Sequence, residues 1–257
     1  MTYSPPSLDW RSWLRRWDAQ QTGYLPRREQ RFEVMLDVLS ALLPEEFVLV
    51  DLACGPGSIS QRVLERFPKA RCIAVDLDPV LLTLGRGALG DGGGRLRWVA
   101  ADLMTVDLVA RLEVSSVDAV LSTTALHWLP AERLVALYHQ LGRLVRPGGV
   151  LLNGDNIPFS RRPSPFQRLA EQARRRDEAK AFGERGVEDW EVWWKALAAE
   201  PGMGPLIEER QRLFAGIRRD WSEPLLEVHE AALRDAGFQD VGVLWQHLDD
   251  RIILAVR

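Results

Sequence analysis

The sequence predicts an α/β fold with a parallel sheet, and three observations lead there. Apolar runs of strand length recur near residues 47–51, 71–76, 95–100, 117–122 and 148–153. A helical pattern separates each run from the next, and alternation of β and α implies parallel strands joined by right-handed crossovers. The first four runs also end in acidic or small residues: Asp51, Asp76, Asp102 and the stretch from Ser122 to Trp128. Ligands of such sheets bind outside the carboxyl ends of the strands, so these residues are expected along one edge.

The first strand, Val48 to Val50, runs into Asp51-Leu52-Ala53-Cys54-Gly55-Pro56-Gly57. Gly55 and Gly57 permit positive φ and let the backbone approach a ligand closely. A helix is expected from Ser58 to Phe67, so its N-terminal N–H groups would add donors for a carboxylate or phosphate. The second strand, Cys72 to Val75, ends at Asp76, an acid suited to two ribose hydroxyls and followed by Leu77, Asp78 and Pro79. The distance from Gly55 to Asp76 is near the roughly 20 residues of a dinucleotide-binding unit. A nicotinamide nucleotide nevertheless fits poorly. Ser60 stands where the third glycine of G-x-G-x-x-G belongs, and Asp51 would repel a pyrophosphate. A ligand carrying an ammonium, a carboxylate and a sulfonium, such as S-adenosyl-L-methionine, matches an acid set among exposed N–H groups.

The third strand leads through Trp98-Val99-Ala100-Ala101-Asp102-Leu103, the fourth is Val117 to Ser122, and Leu144-Val145-Arg146-Pro147-Gly148-Gly149 turns into the fifth, through Leu152. With Asp51 to Gly57 and Asp76, this series resembles the class I S-adenosylmethionine-dependent methyltransferase family. The resemblance spans most of the chain. It implies a Rossmann-like seven-stranded methyltransferase sheet, mostly parallel, with Val241 to Trp245 and Arg251 to Val256, joined through Asp249 and Asp250, as a C-terminal pair that includes an antiparallel strand. It also implies a cofactor site made of Asp51, Ala53, Cys54, Gly55, Pro56, Gly57, Asp76, Leu77, Ala101, Asp102, Leu103, Ser122 and Thr123. In that site Asp102 would receive the adenine amino group. The stretch Ala125-Leu126-His127-Trp128-Leu129 is similar to the His- and Trp-containing loop of the trans-aconitate methyltransferase group.

What the resemblance implies chemically is an in-line transfer of methyl from S-adenosyl-L-methionine, with S-adenosyl-L-homocysteine as product, to an oxygen, nitrogen or carbon of a small molecule. Such a reaction asks the protein for alignment, exclusion of water and, for a protonated acceptor, a base. His127 is the candidate base because it follows the fourth strand at the ligand edge. Trp128 is expected on the pocket wall, and Asn153, Asp155 and Asn156 at the end of the fifth strand could orient an acceptor. His139, His229 and His247 receive no role. An alternative from another class is a protein that binds the cofactor without transferring methyl, as a sensor, a partner subunit or the catalyst of a different reaction.

Flanking the core, 44–156, are a helical N-terminal extension, 1–43, a helical cap insertion, 157–221, and a C-terminal helix with the strand pair, 222–257. Trp10, Trp13 and Trp17 share a helical face, which reads as a packing stripe docking the extension or as part of a lid. A helix is expected from about Arg28 to Leu43, with Tyr24 and Arg28 as candidate substrate contacts. Trp190, Trp193, Trp194 and Leu197 form one amphipathic pattern and Leu213, Phe214 and Ile217 another, predicting two helices over a substrate mouth, with Trp190 and Trp194 as candidate contacts. Ser222 reads as an N-cap with Pro224 in the first turn, and Gly237 as the stop before the sixth strand. Gly90 to Gly94 reads as a flexible turn.

Composition narrows the partners. Thirty-three basic and thirty-six acidic residues give a net charge of −3, without the basic field that makes nucleic acid a default partner. The runs Arg174-Arg175-Arg176 and Arg218-Arg219 read as solvated helix faces. Cys54 and Cys72 fall at buried strands and read as reduced thiols, and neither has metal-ligand spacing. Met1 to Trp17 lacks a signal-peptide core, and no run approaches the roughly 18 apolar residues of a membrane span, so a cytoplasmic protein without membrane partners is expected. Oligomeric state is not encoded in any pattern here.

Overall fold

The computed structural model describes residues 8–104, 108–217 and 223–257. Its centre is a seven-stranded sheet in the order β3-β2-β1-β4-β5-β7-β6, formed by β1 (Val48–Leu52), β2 (Arg71–Asp76), β3 (Leu96–Ala100), β4 (Val117–Thr123), β5 (Val145–Asn156), β6 (Asp240–His247) and β7 (Asp250–Val256). Strands β1 to β5 pair in parallel, and β7 lies antiparallel between β5 and β6. The five expected parallel strands are all present. Leu248 and Asp249 alone separate β6 from β7, so Asp250 belongs to the last strand rather than to the turn. Leu248 takes the left-handed conformation at φ 55.

Period-two alternation divides the apolar residues between two faces. Val50, Leu52, Ile73, Val75 and Val120 point to one core, which is completed by α5 (Leu108–Arg111), α6 (Ala131–Leu144) and α10 (Leu226–Asp235). Leu49, Cys72, Ala74, Ala119 and Leu121 point to the other, against α2 (Arg28–Leu42), α3 (Ser58–Arg66) and α4 (Pro79–Leu89). Burial on both faces is why these strands read as continuous apolar runs. β5 starts earlier than expected because its pairing with β4 shifts between Val117 and Ala119. The irregularity takes up Arg146-Pro147-Gly148-Gly149, where Gly148 has φ +74, and Arg146 Nε donates to Asp118 across it at 2.6 Å.

The N-terminal extension begins with α1 (Trp10–Tyr24), capped by Asp9 accepting from the Ser12 N–H at 3.0 Å. The insertion after β5 holds α7 (Pro165–Glu178), a π-helical turn (Ala179–Glu184), α8 (Trp190–Ala198) and α9 (Gly204–Ala215). Among the described residues, three α-helices therefore stand where the apolar pattern predicts two. The one not foreseen, α7, buries only Ala170 fully, too little apolar stripe to register as periodicity. A third core joins extension and insertion to α4: Trp13, Leu14 and Trp17 meet Val80, Leu81 and Leu84 and also Trp193, Leu197 and Leu206.

In α10 the first residue is Leu226, after Pro224, so that proline precedes the helix. Gly237, at φ +95, follows its C-cap as expected. The expected N-cap Ser222 and the run Arg218-Arg219 lie outside the described residues. Both cysteines are buried and free. No helix among the described residues is long and apolar enough to cross a membrane.

Candidate functional site

A cavity of about 1050 Å³ opens where all five parallel strands end. Ala53 follows β1, Asp76 ends β2 and Leu77 follows it, Ala101, Asp102 and Leu103 follow β3, Thr123 ends β4, and Asn156 ends β5; all border it, as do Cys54, Gly55 and Pro56 of the glycine loop. The far wall comes from α1, α2 and the insertion, through Tyr24, Arg28, Arg174, Glu178, Trp190 and Arg210. Separate segments thus meet at the sheet edge that the strand ends define.

The glycine loop is shaped by its own backbone. Ala53, Gly55 and Gly57 all have positive φ. A side chain on Gly57 would fall 2.7 Å from the Trp98 ring. The Gly55 N–H donates to Asp76 Oδ2 at 2.7 Å, and the Asp78 N–H donates to Asp76 Oδ1 at 2.8 Å. These bonds tie the β1 loop to the end of β2 and aim its acid. Burial pushes the Asp76 carboxyl up to about 6, against the pull of the Asp78 and Gly55 N–H groups.

Asp51 and Ser122 do not border the cavity. Asp51 sits behind the loop, 1% exposed, with Oδ2 accepting from Ser60 Oγ at 2.6 Å. Its Oδ1 is buried without a partner among the described residues. Burial raises its carboxyl to about 7, opposed by the Ser60 bond and reinforced by the charge of Asp76. The side chain of Ser122 turns back to donate to the Leu52 carbonyl at 3.1 Å. Gly57 is likewise absent from the lining; a Cβ built on it would meet the Trp98 ring. A β-strand alternates its sides, so being near a strand end does not guarantee facing the opening.

On the acceptor side, His127 lies in a 3₁₀ turn (Leu126–Trp128) and borders the cavity together with Trp128. Asp155 does not border it. That carboxylate is fully buried behind the histidine, taking the His127 backbone N–H on Oδ2 at 3.0 Å and contacting ring Nδ1 through Oδ1 at 2.6 Å. Burial pushes the Asp155 carboxyl up, but the His127 charge and hydrogen bonds, with the Arg31 charge, outweigh it and hold the group below the ordinary range. Asn153 is also fully buried, beside the Tyr138 hydroxyl. Neither residue is placed to touch an acceptor.

Tyr24 and Arg28 border the cavity, tied to the protein. Tyr24 Oη accepts from the Trp190 N–H at 3.0 Å. Arg28, buried, donates to Asp18 Oδ1 at 2.9 Å, and the same oxygen accepts from Ser58 Oγ at 2.7 Å. Asp18 thereby joins α1, α2 and the start of α3. Of the insertion's tryptophans, Trp190 lines the cavity, whereas Trp194 packs away from it, stacked with Arg210 at 3.9 Å and edge-on to Trp193 at 5.1 Å. Trp17 contributes to the wall as well as to the third core.

Several lining residues carry no sequence signal. Glu178 and Arg210 lie on polar helices whose facing only the packing of the insertion decides, and Thr124 has φ 58, which nothing in Ser-Thr-Thr-Ala foretells. Arg174 was legible only as part of a charged run, yet it pairs with Asp249 at the cavity rim.

Residues 49–149 match the family described as a methyltransferase domain. A trans-aconitate 2-methyltransferase of Azoarcus sp. (strain BH72) is 35% identical over 136 residues, 52% of this chain and 49% of that protein. The malonyl-[acyl-carrier protein] O-methyltransferase of Hahella chejuensis is 32% identical over 104 residues, covering 40% and 34%. The chain thus spans about half the length, or less, of the curated relatives it matches. Among solved structures, an O-methyltransferase family protein from Burkholderia thailandensis superposes with a TM-score of 0.54 at 19% identity, covering 88% of this chain and 55% of that one. PigF with SAH does so at 0.52 and 14%, covering 82% and 50%. At these identities the two structures speak to the fold.

Proposed function

We propose that the chain is a class I S-adenosylmethionine-dependent methyltransferase that transfers a methyl group to a small-molecule acceptor, a reading supported by the methyltransferase-domain match over residues 49–149. The observation that carries this reading is the cavity itself, on which the ends of all five parallel strands converge together with the glycine loop and His127.

The lining suits S-adenosylmethionine. Gly55, at φ +55, leaves room over the loop, where a side chain would only reach ordinary contact with Trp17 and Leu81. Asp76 offers a carboxylate for ribose hydroxyls, and Asp102 one for the adenine amino group. When bound, the cofactor supplies an electrophilic methyl on a sulfonium. The remaining chemistry falls to this chain. With Nδ1 held by Asp155 at 2.6 Å, the neutral form of His127 would carry its hydrogen on Nδ1 and its acceptor lone pair on Nε2. In that tautomer His127 takes a proton from the acceptor as its nucleophilic atom engages. α1 and the insertion line the side of the cavity facing the strand ends, where they would limit the access of water.

Two measurements test the reading. Purified protein mixed with radiolabelled methyl donor and a cell extract is expected to place label in the small-molecule fraction. Label in protein or RNA points to a macromolecular acceptor, and no transfer at all leaves a binder. By calorimetry, Asp76→Ala is expected to abolish S-adenosylhomocysteine binding with the fold intact; retained affinity counts against the ribose assignment.

A further inference from the structure

The cavity wall is acidic, and its positive charges are already engaged. Six carboxylates and three guanidiniums border it. Arg28 is held by Asp18 at 2.9 Å with its guanidinium over the Phe32 ring. Arg210 is held by Asp78 at 2.5 Å and is stacked on Trp194 and Phe214. Arg174 is held by Asp249. A polycarboxylate is recognised by guanidinium forks free to grip it bidentately. Here each guanidinium already gives one nitrogen to an acid, and six carboxylates against three guanidiniums leave the lining net negative, which opposes a ligand carrying several negative charges.

The opposite sign is better served. Glu178, half-buried at the end of α7, borders the cavity and pairs with no cation among the described residues. The cavity is also lined by the rings of Tyr24, Trp128 and Trp190. Carboxylate and aromatic faces together recognise a cation carried on an apolar body. Building on the transferase reading, we propose that the acceptor is a small molecule bearing a protonated amine beside an apolar or aromatic body, with Glu178 as its counter-charge, and that polycarboxylates are excluded. This differs from the acid named for the trans-aconitate 2-methyltransferases, of which the chain covers about half.

Calorimetry on the full chain tests this, with and without saturating S-adenosylhomocysteine. The probes are tryptamine, phenethylamine and trans-aconitate. The amines are expected to bind and trans-aconitate to give no heat. Glu178→Gln is expected to weaken amine binding by about tenfold or more, the loss of one charge-assisted contact, while Glu178→Asp keeps most of the affinity. Binding of trans-aconitate, silence of both amines, or amine affinity unchanged in Glu178→Gln overturns the proposal. Failure of S-adenosylhomocysteine to bind overturns the transferase reading separately, because the amine titrations on the chain alone still decide this one.

Discussion

A histidine whose Nδ1 is held by a buried carboxylate has its tautomer chosen for it, and that gives His127 and Asp155 different parts in one unit. Removing the ring, in His127→Ala, is expected to lower turnover by about two orders of magnitude if it accepts the proton. Asp155→Asn keeps the shape but can present its amide to Nδ1, favouring the opposite tautomer; turnover should fall while the KM for the methyl donor stays near wild type, and the acid limb of the pH–rate profile should move. An unaltered profile would reduce Asp155 to a support for the turn. Asp51 and Asp76 make a second prediction, on stability. Burial raises both carboxyls, to about 7 and about 6, so between pH 4 and those values the folded chain holds protons that the unfolded chain has released. Stability from these groups is therefore present at low pH and lost as pH rises through 6 to 7, by up to about 1.4 kcal/mol per pH unit for each. Asp51→Asn, whose amide oxygen can still accept from Ser60, is expected to raise the melting temperature of the nucleoside-free chain more at pH 8 than at pH 5. An equal effect at both pH values would contradict the buried-charge explanation.

At the scale of elements, the glycine loop depends on how closely α4 approaches it. A Cβ on Gly85, within α4, would lie 2.3 Å from the Trp98 ring and 2.7 Å from the Pro56 carbonyl oxygen. Trp98 cannot swing away without breaking its Nε1–H bond to the Gly90 carbonyl at 2.8 Å. Gly85→Ala should therefore cost about 1–3 kcal/mol in urea unfolding and, by moving Pro56, weaken S-adenosylhomocysteine in calorimetry. A variant that lost stability but kept affinity would show the loop to be independent of α4. The loop and its glycines were legible because backbone conformation leaves a residue-type signature. The need for glycine at 85 was not, since it comes from a ring on β3 and a carbonyl on the loop, both remote in sequence.

For the whole molecule, extension and insertion stand or fall together on the tryptophan cluster. Trp193 is fully buried, edge-on to Trp13 at 5.7 Å and to Trp17 at 5.1 Å. Trp193→Ala is expected to cost about 3–5 kcal/mol. The loss should concentrate in α1 and α8, read as faster amide exchange there while β1, β4 and β5 stay protected. Uniform loss across the sheet would mean that the third core is continuous with the other two. Packing thus accounts for Trp13 and Trp193, while Trp17 and Trp190, tilted against each other at 5.8 Å, also face the cavity. Helical spacing put these rings on common faces, but it could not say which ring of a stripe turns inward.

The sequence by itself determined the parallel sheet, the glycine loop and the edge on which Asp76, Asp102 and His127 stand, because strand period, positive φ and chain order are written locally. Only the tertiary structure decided that Asp51, Ser122, Asn153 and Asp155 lie behind the wall, that Arg28, Arg174 and Arg210 are each paired with an acid, and that Glu178 is not. Those outcomes depend on which side chains from distant segments arrive at the same place, and desolvation and charge pairing act only once they have met.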